Sequence, residues 1–205
     1  MEQPRRVDAA RPRRLAAALE LVLLLAAAVC LTLVVRANAA QAFSIPSESM
    51  VPQLEVGDRV VVSKTSYRLH DVRRGDIIVF PHPEAAPDSA SLPTRVAHDL
   101  LETVGLRRPP DDELIKRVIG LPGEVVGAED GHVVVDGRTL VEPYLRPGTV
   151  TGDFGPTVVP HGHVFVLGDN RANSSDSRVI GPIEADTIVG RAIARVWPPT
   201  RTAFL

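Results

Sequence analysis

Two serines, Ser47 and Ser49, lie in the stretch Phe43-Ser44-Ile45-Pro46-Ser47-Glu48-Ser49-Met50, and far downstream a lysine, Lys116, interrupts an apolar run. A serine hydroxyl becomes a nucleophile only when a neighbour takes its proton. The chain holds two lysines, Lys64 and Lys116, against 21 arginines. Arginine keeps its proton in a protein, whereas a buried lysine can lose one. In an extended Leu114–Ile119 segment, Lys116 shares a face with Leu114 and Val118. Desolvation there lowers its pKa from the free value of about 10.4, toward a working general base. From the residues alone, a lysine snorkelling from a strand edge fits the same pattern. A Ser-His-Asp arrangement through His132, His161 or His163 also stays open. Lys64, beside Thr65 and Ser66 at a strand end, reads as solvent-exposed.

The segment 168–178, Gly-Asp-Asn-Arg-Ala-Asn-Ser-Ser-Asp-Ser-Arg, is dense in polar groups for a domain interior. It reads as a loop in which Asp169, Arg171, Asp176 and Arg178 form ion pairs with one another, or else as a solvated turn. A calcium loop fits poorly, because Arg171 occupies a position such loops give to Asp or Asn. His161-Gly162-His163 lacks further ligands at metal-site spacing, and the single Cys30 offers no disulfide framework. No metal and no cofactor are expected. A net charge of −2 gives no reason to expect nucleic acid as a partner.

The positioning elements follow from pattern. An apolar stretch runs from Leu15 to Val35, broken only by Glu20 and Thr32, and matches the roughly 20 residues that cross a bilayer. Arg5, Arg6, Arg11, Arg13 and Arg14 precede it, and Arg36 alone follows closely. The charge asymmetry predicts a cytoplasmic N-terminus over 1–14, a transmembrane helix over 15–35 and an extracytoplasmic domain over 36–205. A cleaved secretory signal is the alternative, since Ala37-Asn38-Ala39 has the small-x-small form of a cleavage site. Either way the remainder lies outside the cytoplasm.

Beyond the anchor, β-branched runs at 58–63, 76–80, 114–119, 132–135 and 164–167 read as strands, with a further one at 187–197 long enough to bend across two sheets. Asp136-Gly137 between 132–135 and 138–141 is a type I′ hairpin signal. The region 81–112 is a variable insertion, rich in proline, alanine and acid at first, with a short helix expected over 95–106. The fold class expected is mainly β, an antiparallel β-sheet domain on a membrane stalk.

Four segments in this order resemble the type I (leader) signal peptidases, the bacterial membrane-bound Ser/Lys endopeptidases of the S26 family. They are Phe43–Met50, Gly75–Phe80, Lys116–Gly123, and Gly168–Arg171 continuing to Asp176–Arg178, and the likeness runs from the anchor to Trp197. The resemblance implies Ser49 as nucleophile and Lys116 as general base, with Ser47 and the Ser49 amide forming the oxyanion hole. It implies that Ser174 orients Lys116 and that Asp176, Arg178, Asp169 and Arg171 brace the loop. Phe43, Ile45, Met50, Leu54, Leu114 and Ile115 would line shallow pockets that admit alanine, giving cleavage of exported preproteins after Ala-x-Ala. Gln53 and Leu114 depart from the threonine and tyrosine usual in the family, which alters the pocket wall expected here. Lys64 and Tyr67 match family positions, implying a structural lysine. A self-cleaving repressor-type Ser/Lys peptidase is the rival enzyme reading, and an anchored extracytoplasmic binding module is the non-enzyme one.

Overall fold

Runs such as Val60-Val61-Val62, Ile77-Ile78-Val79 and Val133-Val134-Val135 favour extended backbone, because branching at Cβ restricts χ1 and packs well on a pleated surface. The computed structural model of the chain describes residues 20–29, 40–83 and 113–205. The strands in chain order are β1 (Ala40–Ser44), β2 (Arg59–Ser63), β3 (Ile77–Pro81), β4 (Glu113–Gly120), β5 (Val125–Glu129) and β6 (His132–Val135). They continue with β7 (Arg138–Thr139), β8 (Phe154–Val158), β9 (His163–Leu167), β10 (Ile183–Glu184), β11 (Gly190–Trp197) and β12 (Ala203–Phe204). A large sheet runs β1-β2-β11-β3-β4-β9-β10, with β12 on β11, and a small sheet runs β7-β6-β5-β8. Every pairing is antiparallel. The mainly β architecture agrees with the sequence expectation.

Asp136 and Gly137 take φ of 50° and 73° between β6 and β7, as the two central residues of a type I′ turn require. Three apolar clusters hold the sheets. Phe43, Ile45, Met50, Leu54, Val60, Val62 and Ile115 form one around β1 and β2, with Ile77 and Val79. Ile119, Val126, Val133, Phe165 and Leu167 form a second between the small sheet and strands β4 and β9 of the large one. Ile78, Phe80, Val118, Val164 and Val166 form the third. Adjacent β4 residues thus feed different clusters, the consequence of a two-residue side-chain period.

Several expectations shift. β11 starts at Gly190, after a 3-10 turn at Ala185–Thr187. It stays within the large sheet instead of crossing to a second one, absorbing its length in register shifts at Ala192/Ala194 and Arg195/Trp197. β1, β5 and β8 were not anticipated. The chain divides into two units, residues 1–38 and 39–205. In the first, residues 20–29 are helical, with Leu21 to Leu25 and Val29 all exposed. Among the described residues no helix is long and apolar enough to cross a membrane. The basic 1–14 segment, both ends of the 15–35 span and residues 84–112 of the insertion lie outside the described residues.

Gly120 ends β4 where the small sheet packs closely against it: an added Cβ would fall 2.4 Å from Val126 Cγ2 and 3.0 Å from Phe165 Cβ. Gly120→Ala should therefore destabilise the domain by about 1–3 kcal/mol through overpacking. Urea unfolding should show a lower midpoint at unchanged slope; an unaltered midpoint would contradict this packing.

Candidate active site

Ser49 is the middle residue of one 3-10 turn, Glu48–Met50, entered from β1 through Pro46 and Ser47. The entry is pinned by Ile45 N–H to Asp58 O (2.9 Å) and Gly57 N–H to Ile45 O (2.9 Å). Behind the turn, Asn170 donates its backbone N–H to Ser49 O (3.0 Å) and its Nδ2 to Glu48 O (3.2 Å). The Asp58 carboxylate accepts Glu55 N–H at 2.9 Å and pairs with Arg201 at 3.2 Å, closing the following loop. Met50 and Leu54 plug that loop into the first apolar cluster, both fully buried. Ser49 thus sits on a turn held on both flanks.

Lys116 lies where β9 stops. Arg117 pairs with Leu167, the last residue of β9, so the flank of β4 beside Lys116 is left to the 168–174 loop and the Ser49 turn. Lys116 Nζ stands 2.9 Å from Ser49 Oγ and donates to its neighbour's carbonyl, Ile115 O, at 2.8 Å. The residue is 2% exposed. Burial depresses its pKa to about 8, with the Asp176 charge pulling weakly the other way. An amine at that value is partly neutral near pH 7–8 and can accept the Ser49 proton across the existing contact. Lys64, by contrast, follows β2 and is only half-buried. His132, His161 and His163 make no hydrogen bond to Ser49, whose hydroxyl meets Lys116 and, at 3.3 Å, Ser47 Oγ.

The 168–178 loop is built differently from the expected internal ion-pair cluster. Asp176 and Arg178 do pair, Nε to Oδ1 and Nη2 to Oδ2, both 2.8 Å. Asp169 pairs instead with Arg117 in a bidentate fork at 2.8 and 2.7 Å, and Arg171 pairs with Glu142. The physical reason is reach: neighbouring side chains on an irregular loop diverge, and buried guanidinium groups find carboxylates on whichever element faces them. Burial pushes the Asp169 carboxyl up, against the pull of Arg117. Burial would also raise Asp176, but hydrogen bonds from Arg178 and Gly168 N–H (3.0 Å) hold it below its ordinary value. Ser174 Oγ is buried and helps lower Asp176, yet makes no hydrogen bond of normal geometry among the described residues, to Lys116 or otherwise.

Of the residues expected to line a pocket, Phe43, Ile45, Met50, Leu54 and Ile115 pack together, whereas Leu114 belongs to the cluster around Phe80 and Val118. Arg117, Glu142, Tyr144 and Thr151 were not singled out from the sequence. Glu142 and Tyr144 sit two residues apart in a strandless segment, and Tyr144 is one of only two tyrosines in the chain, a signal that went unread.

Comparison with known proteins gives the family of the chain. A family model described as signal peptidase, peptidase S26, matches residues 18–197. The signal peptidase I of Leptolyngbya laminosa is 40% identical over 203 residues, covering 98% of this chain and 91% of that protein. The signal peptidase I of Mycobacterium tuberculosis is 35% identical over 229 residues, covering 96% and 78%. That of Bacillus caldolyticus is 36% identical over 190 residues, covering 86% and 90%.

Burying Lys116 has a measurable thermodynamic consequence. Its folded pKa of about 8 lies below the unfolded value of 10.5, so the unfolded state binds the proton more tightly. The resulting penalty, about 3 kcal/mol, is fully present below pH 8 and disappears as pH rises through the window from 8 to 10.5. Lys116→Met should therefore raise the unfolding free energy at pH 7, with the gain shrinking by pH 10. Equal gains at the two pH values would show that the lysine is not desolvated.

Proposed function

The chain belongs to the signal peptidase family, peptidase S26, and is a peptidase; from that premise we propose that it cleaves N-terminal signal peptides from exported preproteins with a Ser49/Lys116 dyad. The observation that carries the reading is the 2.9 Å contact between Lys116 Nζ and Ser49 Oγ, made by a lysine 2% exposed. Neutral Nζ takes the hydroxyl proton as Oγ attacks the scissile carbonyl carbon. The oxyanion formed is met by the Ser47 hydroxyl and the Ser49 N–H, since the first amides of a turn have no partner within it. The resulting ammonium returns its proton to the leaving amine, and the ester left on Ser49 is hydrolysed by a water that Lys116 deprotonates in turn. Asp169, Arg171, Ser174, Asp176 and Arg178 keep the supporting loop against Lys116.

Substrate selection follows from the same surroundings. Along β4, the edge at Leu114 and Ile115, short of Lys116, is not paired by β9 and can take an extended peptide. Phe43 and Ile115, each 6% exposed, would form the floor against the substrate's small side chains. Met50 and Leu54, fully buried, would stiffen that floor from behind, with Ile45. A shallow floor of this kind suits alanine at the two positions facing it, which is the Ala-x-Ala preference. Leu114 would contribute from the other side of β4. With the 15–35 helix crossing the bilayer and residues 1–14 in the cytoplasm, enzyme and signal peptide share one membrane, which raises their effective concentration.

Precursor processing by the purified full chain tests the proposal. Ser49→Ala and Lys116→Ala should each abolish cleavage, and Lys116→Arg should be as inactive as alanine because arginine cannot accept the proton. Wild-type kcat/KM should rise with pH along an acid limb near 8. Normal processing by any of the three variants, or a limb below pH 6, would refute the dyad. Ser47→Ala should cost about 2.7–4 kcal/mol of transition-state stabilisation, seen as a loss of kcat.

A further inference from the structure

Among the described residues, the segment joining β7 to β8 touches neither Ser49 nor Lys116 through any hydrogen bond, yet three of its side chains meet the two arginines that flank the dyad. The Arg171 side chain is 0% exposed and that of Glu142 is 8% exposed. Glu142 accepts from Arg171 Nη1 at 2.9 Å and from Nη2, and it also accepts the Tyr144 hydroxyl. Thr151 Oγ1 takes a second bond from Nη1 at 2.7 Å. The Arg171 Nε then reaches Gly168 O at 3.1 Å. Tyr144 places its ring 3.9 Å from the Arg117 guanidinium carbon, and Arg117 directly follows Lys116 in β4.

Gly168 is the element that converts this framework into dyad geometry. Its N–H is held by Asp176 and its carbonyl by Arg171. A Cβ at this position would fall 2.2 Å from Ser174 Oγ and 2.5 Å from Ser49 O. The backbone there thus passes so near Ser174 and the Ser49 carbonyl that only glycine fits, and a displacement of Gly168 is passed on to the Ser49 turn through this close packing.

We infer that Glu142 is a positioning residue for the dyad. Through Arg171 it fixes Gly168 against Ser49, and through Tyr144 it steadies Arg117 beside Lys116. The inference rests on the Ser49/Lys116 reading above. A guanidinium buried this deeply needs a counter-charge, and Glu142 is the carboxylate bonded to it. Without that charge Arg171 turns to the other acid it feels, Asp169, which is already the partner of Arg117. Both flanks of the dyad then move together.

Glu142→Gln preserves shape and removes the charge. In preprotein cleavage by the full chain, kcat should fall about tenfold or more, as misplacements of reacting groups do. KM should stay within about twofold, because the substrate surface is untouched. The acid limb of the kcat/KM profile should shift from the wild-type position, which a general loss of folded protein would not cause. Thermal melts fix the folded fraction at the assay temperature. A folded Glu142→Gln with wild-type kcat, or a loss matching only the unfolded fraction with an unmoved limb, overturns the inference. If that variant does not fold, Tyr144→Phe decides: a kcat loss beyond about twofold at constant KM supports the relay, and unchanged kcat overturns it. Wild type and Ser49→Ala run alongside; cleavage by Ser49→Ala would strike the dyad reading itself rather than the role of Glu142.

Discussion

The dominant constraint on this domain is that one amine, Lys116 Nζ, has to be kept dry. Desolvation is what brings it to about 8, and desolvation requires that other atoms fill the space a hydrated ammonium would claim. Those atoms come from the two sides of the β4 flank that β9 leaves uncovered. The Ser49 turn fills one side, sealed by Met50 and Leu54, and the 168–174 loop fills the other, with Gly168 so near Ser174 and the Ser49 carbonyl that a Cβ would not fit. Ser49 is therefore part of the wall that desolvates Lys116. On the proposed dyad reading, activating the pair and packing the pair are one structural problem.

A loop rich in polar groups is an awkward choice for such a wall, and the arginines explain how it is managed. Three buried carboxylates of the supporting network each have a guanidinium: Asp169 with Arg117, Asp176 with Arg178, Glu142 with Arg171. Asp176 matters most, because it is the charge felt by Lys116, and an unpartnered carboxylate there would restore the ammonium. Its pairing with Arg178 spreads that charge, so burial remains the larger influence on the lysine. Arginine suits the task because it keeps its charge through the whole working range and bonds in a planar fork. The excess of arginine over lysine that marks out Lys116 in the sequence is the same excess that neutralises its surroundings.

How much of this was legible in the sequence depended on whether the signal was local. Ser49 and Lys116 stood out by residue type and by their neighbours, and the valine-rich strands announced themselves through their side chains. β1, Ala-Gln-Ala-Phe-Ser, has no β-branched residue; it is extended because β2 offers it a partner. β5 and β8 carry glycine, and β8 proline as well, so pairing within the small sheet overrides their weak propensity. The ion pairs were misread for the related reason that pattern within a loop says nothing about which distant strand faces it. Glu142 lies 29 residues from Arg171, and Arg117 lies 52 from Asp169.

Buried pairs of this sort raise the question of why the fold keeps them, when apolar residues of similar volume often stabilise as well or better. An apolar plug in place of Arg171 and Glu142 would fill the space but could not hold Gly168 by its carbonyl, and a plug in place of Arg117 and Asp169 would leave Gly75 O without the guanidinium that now reaches it at 2.9 Å. Hydrogen bonds are directional where apolar contact is not, and on the proposed dyad reading Ser49 Oγ and Lys116 Nζ, 2.9 Å apart, need that direction to stay within proton-transfer distance. The network thus trades some stability for fixed orientation, as Lys116 trades some for a usable pKa. Both costs fall on the same few residues, which is why the polar loop and the dry lysine occur side by side.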